Sequence, residues 1–177
     1  MKKKHPFSKR ARGDGYFRFA DTKPYAPRGV LLGQGNSDSC VPACTRMLIL
    51  DYLPDAVGDL NHSEAALRFM FQTDEQGSII ARIPEVLRAS GVKKPLAYRT
   101  DLTIEQLRES LWGGDAIVVL RIPGNMHVVI VEQITADSVA IRDPLPPGRG
   151  SAYVVALRDF LTVWEKSGQG SAVIVES

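Results

Sequence analysis

The chain has 177 residues, 44% of them hydrophobic and 24% charged, with two cysteines and a formal net charge of +2. That is the composition of one ordinary globular domain, long enough to bury a substantial core. It excludes a disulfide framework, a membrane-spanning helix (no apolar run approaches about 20 residues) and a secretory signal, since no hydrophobic stretch follows the N-terminal cations.

The charge is unevenly placed. Lys2, Lys3, Lys4, Lys9, Arg10 and Arg12 stand at the start of the chain without an acid among them, and taking those six from +2 leaves −4 for the rest. A basic arm of this kind can touch nucleic acid or an acidic partner, but the mildly acidic body argues against a nucleic-acid-binding domain. Residues 1–28 are expected to be a basic, loosely ordered N-terminal segment punctuated by Gly13, Gly15, Pro24 and Pro27. Tyr16, Phe17, Phe19 and Tyr25 suggest that its second half still packs on the body, with the folded domain spanning 29–177.

From Ser39 the spacing predicts a helix to about Tyr52. Ser39 or Asp38 is placed to cap it, Pro42 is tolerated in its first turn, and Val41, Cys44, Met47 and Leu48 share one face. Pro54 and Gly58 end it. A second helix is expected from Ser63 to about Phe71, and a third through Pro84 to Ser90, closed by Gly91. Thr103 and Gln106 have capping-box spacing and open a fourth, stopped by Gly113 and Gly114. The pattern then changes. Residues 116–122, 127–134, 138–142 and 152–155 are β-branched runs between turn residues and read as an antiparallel sheet. A short helix at 157–164 and a strand at 172–176 close the chain. Helices first and strands second indicate an α+β fold with the Cys40 helix packed on the sheet.

The chemistry is carried by Gln34-Gly-Asn-Ser-Asp-Ser-Cys40, followed far downstream by His127 and Asp143. A thiol is a useful nucleophile only as thiolate, and a helix N-terminus with a nearby imidazole lowers its pKa. Gln34 can donate to the oxyanion of an acyl-transfer intermediate beside the backbone N–H of Cys40. A histidine opening an apolar strand and an acid ending the next would supply base and orienter.

Four segments together resemble the papain-like cysteine peptidases, and among them the bacteriocin-processing (leader-peptidase) branch. They are Gln34 to Cys40, Pro84-Glu-Val-Leu-Arg-Ala-Ser-Gly-Val92, His127-Val-Val-Ile-Val131 and Ile141-Arg-Asp-Pro144, within a similarity spanning about residues 31–165. The resemblance implies that Cys40 is the nucleophile, His127 its base, Asp143 the group that orients His127, and Gln34 the oxyanion donor. It implies no cofactor and no metal. The branch usually has Asp before the cysteine and Gly after it, where this chain has Ser39 and Val41, and the bulk of Val41 bears on the peptide groove more than on the triad. Those peptidases are commonly joined to a transporter, and the expectation here is a domain without one.

Other residues read more plainly. Cys44, one turn below Cys40, is expected to be a buried and inert small hydrophobe. His5 and His62 are expected at the surface or at caps. A metal site from Cys40, Cys44 and His127 lacks the second ligand pair that structural zinc wants. The expected activity is thiol hydrolysis of a specific protein or peptide substrate, with no membrane partner. The favoured setting, by resemblance, is the toxic effector domain of a bacterial competition system, acting in a cytoplasm and blocked by an immunity protein over the cleft. A free-standing processing peptidase, or a glutamine deamidase or transglutaminase using the same triad, is the alternative.

Overall fold

The computed structural model describes residues 16–17, 22–122 and 125–177. The basic residues Lys2 to Arg12, His5 and Phe19 lie outside the described residues, as does most of the expected N-terminal segment.

An eight-stranded antiparallel sheet organises the chain. Its strands are β1 (Lys23–Pro24), β2 (Leu96–Leu102), β3 (Ala116–Ile122), β4 (Asn125–Ile134), β5 (Ser138–Asp143), β6 (Ser151–Ala156), β7 (Glu165–Lys166) and β8 (Gln169–Val175). The spatial order is β1-β6-β5-β4-β3-β8-β2, with β7 paired to β8. The helices are α1 (Cys40–Tyr52), α2 (Glu64–Phe71), α3 (Ile83–Ala89), α4 (Ile104–Ser110) and α5 (Leu157–Trp164).

Both faces of the sheet are covered, and that explains why its central strands read as continuous apolar runs rather than an alternation. On one face Ile117, Val119, Val128, Ile130 and Val173 meet Cys44, Met47 and Leu48 of α1, Leu67 and Phe71 of α2, and Val86 and Leu87 of α3. On the other, Val118, Leu120, Val129, Val131 and Ile141 meet Phe160, Val163 and Trp164 of α5, together with Phe17 and Tyr153. Every one of these side chains is essentially buried.

Helix and strand positions agree with the sequence pattern over most of the chain, and the Thr103–Gln106 capping box forms. The main differences are these. The strand β2 falls where no strand is expected, because Arg99, Thr100 and Asp101 break its apolar pattern. As an edge strand it needs little burial, and its register is fixed by β8, about 75 residues away. Glu165–Lys166 and Gln169 form a hairpin through a two-residue turn in which Ser167 and Gly168 both have positive φ, so the last strand starts three residues early. Ser39 occupies the N-cap position of α1 without a side-chain cap bond, since its hydroxyl accepts from Arg68 instead.

A buried ion cluster ties the helical layer to the sheet. The Arg142 guanidinium, fully buried, meets Asp51 of α1 at 2.7 Å, Asp115 at 2.8 Å and Glu132 at 2.8 Å, and donates to the Val30 carbonyl at 2.6 Å. Glu132 also accepts from the Tyr25 hydroxyl and the backbone N–H groups of Arg28 and Gly29. A Cβ at Gly29 would stand 2.5 Å from that guanidinium, so only glycine lets the chain pass so close. Removing one member strands the others. Arg142→Leu, which leaves three carboxylates facing one another, is expected to lower stability by about 3–5 kcal/mol, seen as a lower urea midpoint at unchanged m-value.

Candidate active site

The site forms where the N-terminus of α1 meets the ends of β4 and β5. Cys40 is the first residue of a 13-residue helix, at the positive end of its dipole and with no acid in its first turn. The loop before it is held by α2. Glu64 accepts from the Gly35 N–H at 2.8 Å and 3.1 Å, and Arg68 reaches both the Asp38 carboxylate and the Ser39 hydroxyl. Glu64 and Arg68 stand four apart on one face of α2, so a single helical face grips the loop at two points.

His127 on β4 lies opposite Leu120 of β3 and shares its strand face with Val129 and Val131. Its Nε2 is 2.8 Å from Oδ1 of Asp143, the last residue of β5, and both side chains are buried. That contact leaves Nδ1 as the ring nitrogen for the side-chain hydrogen bond between His127 and Cys40. Asp143 is saturated with donors. Besides His127 it accepts from the Leu145 N–H at 2.9 Å, the Tyr16 N–H at 2.7 Å and the Tyr153 hydroxyl at 2.6 Å.

Gln34 is buried in a loop that packs on the segment following Asp143. Its backbone is fixed on both sides, N–H to the Pro144 carbonyl and C=O from the Gly148 N–H, each at 2.9 Å. The neighbouring Gly33 allows this close approach, since a Cβ there would lie 2.2 Å from the Arg149 nitrogen. The side-chain amide donates one of its two protons to the Asn36 carbonyl at 2.6 Å, leaving the other for a ligand. The loops that carry Gln34 and follow Asp143 are thus one packed unit.

The electrostatics suit a thiolate–imidazolium pair. Burial pushes the Cys40 thiol up, but the hydrogen bond and charge of His127, aided by backbone groups of Val128 and Val41, outweigh it and hold the thiol below its ordinary range. Burial pushes His127 down, yet Asp143 and Cys40 together raise it to about 10. Burial drives the Cys44 thiol well above the usual value, with the charges of Cys40 and Asp143 adding to the effect, and its Sγ is directed at the Val128 carbonyl. Both cysteines are free, and Cys44 is buried. Among the described residues no cluster of three or more His, Cys, Asp or Glu could hold a metal ion. His62 is partly buried near Asp59, 3.6 Å away.

Sequence reasoning missed Tyr16, Tyr153, Glu64 and Arg68. None carries a motif. Their parts in the site come from contacts with residues 10 to 127 positions away, which no local pattern encodes.

A helix bearing a cysteine at its start, packed on an antiparallel sheet that brings a histidine and an aspartate to the same point, defines a papain-like cysteine peptidase. The chain belongs to the Peptidase C39 family, whose profile matches residues 30–168. Among solved structures it is similar to the peptidase domain of Streptococcus ComA, a bi-functional ABC transporter involved in a quorum-sensing pathway. The TM-score is 0.58 at 19% identity, covering 83% of this chain and 98% of that one. It is also similar to a double glycine motif protease from an AMS/PCAT transporter in complex with the leader peptide (TM-score 0.56, 14% identity, 84% and 93% covered). A C39-like peptidase from Bacillus anthracis shares the fold as well (TM-score 0.54, 16% identity, 87% and 94% covered). No curated protein matches the chain.

The paired shifts fix a pH window. Cys40 is thiolate above its depressed pKa, and His127 is imidazolium below about 10, so the ion pair exists between the two. Peptidase kcat/KM is therefore expected to rise on the acid side below the usual thiol range and to fall as pH passes about 10. At neutral pH iodoacetamide should alkylate Cys40 far faster than Cys44. Equal labelling of the two in the native protein would show that neither is activated.

Proposed function

We propose that Cys40, His127, Asp143 and Gln34 carry out peptide-bond hydrolysis on an extended peptide segment, as a leader or processing peptidase does. The observation that carries the reading is the chain of contacts Cys40–His127–Asp143, with the His127 Nε2 to Asp143 distance at 2.8 Å. The Cys40 thiolate attacks the scissile carbonyl carbon, and the carbonyl π electrons move onto oxygen. The Cys40 backbone N–H and the free proton of the Gln34 amide receive that oxyanion. His127 as imidazolium passes its Nδ1 proton to the leaving amine, then takes a proton from the water that hydrolyses the thioester. Asp143 holds the ring in place and stabilises its charge throughout.

Family membership and the leader-peptide complex of a similarly folded protease support a peptide substrate with small residues before the cut. Ser39 and Val41 flank the nucleophile, and Val41 is buried in the helix-side core rather than set in a groove. A toxic effector protease acting in a bacterial cytoplasm is the second reading. It comes from the resemblance alone, and the expression experiment below separates it from the first.

Cys40→Ala and His127→Ala should each remove cleavage of a Gly-Gly-ended leader peptide by at least about 10⁴-fold, with circular dichroism unchanged. Asp143→Asn should retain more activity than either. Undiminished cleavage by Cys40→Ala would refute the assignment. Growth arrest on cytoplasmic expression of the wild-type chain, absent for Cys40→Ala, would favour the effector reading over the processing one.

A further inference from the structure

Residues 16–17 precede the family-matched region, yet they sit inside the site. Tyr16 and Phe17 are 3% and 0% exposed. The Tyr16 backbone N–H donates to Asp143 Oδ2 at 2.7 Å, on the same oxygen that the Tyr153 hydroxyl reaches at 2.6 Å. The Tyr16 ring lies over the His127 imidazole, centroids 5.1 Å apart and planes 18° from parallel. Phe17 meets the Tyr16 ring edge-on at 5.4 Å and packs against the Tyr153 ring at 6.1 Å. Further along, β1 and the Tyr25 N–H bind this segment to β6, and the Tyr25 hydroxyl binds it to Glu132.

We infer that Tyr16 is a positioning residue of the His127–Asp143 pair, its N–H completing the donor set of the carboxylate and its ring holding and shielding the imidazole. The inference rests on the triad proposed above. Two physical effects follow from the geometry. A ring face within about 6 Å of a cationic ring favours the imidazolium over the neutral form, most strongly where water is excluded. Covering the pair also lowers the local dielectric, which strengthens the attraction between imidazolium and carboxylate. Among the described residues, the ionisable groups acting on His127 are Asp143 on β5 and Cys40 on α1, with Tyr153 on β6 reaching it through Asp143. The strand β3 offers Leu120 opposite. Tyr16 is therefore the member that the family-matched region does not supply.

The test compares Tyr16→Phe, which keeps ring and N–H, with Tyr16→Leu, which fills space without a π face, in the full chain. Histidine side-chain NMR titration of folded, ¹⁵N-labelled protein reads His127 directly and needs no substrate. Tyr16→Phe should leave the His127 midpoint within about 0.3 units of wild type, whereas Tyr16→Leu should lower it by about one unit. The alkaline limb of kcat/KM should move with it. An unshifted His127 midpoint in folded Tyr16→Leu would overturn the inference while leaving the triad intact. Retained activity in Cys40→Ala would instead overturn the triad reading itself.

Discussion

Everything at the site turns on one buried carboxylate. Asp143 ends β5 with its side chain fully enclosed, and a buried anion of that kind is tolerated only when its lone pairs are filled. The four donors come from four places: His127 on β4, Tyr153 on β6, Leu145 in the following loop, and Tyr16 near the start of the chain. Satisfying Asp143 therefore forces those segments together. The ring that results is held in one orientation, and its proton is stabilised by the charge that holds it.

Successive residues of β5 do opposite work because a strand alternates faces. Asp143 anchors His127 on one side of the sheet. Arg142 projects to the other and binds Asp51 near the end of α1, so that helix is registered at both ends: by Arg142 near its C-terminus, and by the His127 contact at Cys40. The same cluster gathers the backbone of residues 28–30 through Glu132 and the Arg142 guanidinium. Helix and sheet could not slide past one another without separating buried charges, which is far costlier than slipping apolar surfaces.

The loop that leads into Cys40 has its own constraints. Glu64 and Arg68 hold its outer side, while Pro144 and Gly148 hold Gln34 from the inner side. A donor poised for an oxyanion must be fixed before charge develops, since reorganising it during the reaction would consume the gain. Asp38 and Ser39 serve Arg68 instead of capping α1, so that among the described residues its N-terminus has no side-chain cap, as the oxyanion site proposed above requires.

Much of this protein was legible in order along the chain. The period of apolar residues marked α1, α2 and the central strands, and three of the residues singled out because few types can perform acyl transfer, Cys40, His127 and Asp143, are in contact in the fold. What the sequence could not reveal depended on partners distant in the chain. The strand β2 exists because β8 returns to pair with its polar edge, and Arg68 and Tyr16 matter through side chains 29 and 127 residues away. Local propensity and motif chemistry are written in neighbouring residues, whereas satisfaction of buried polar groups is settled only when the sheet closes and decides which donors are within reach.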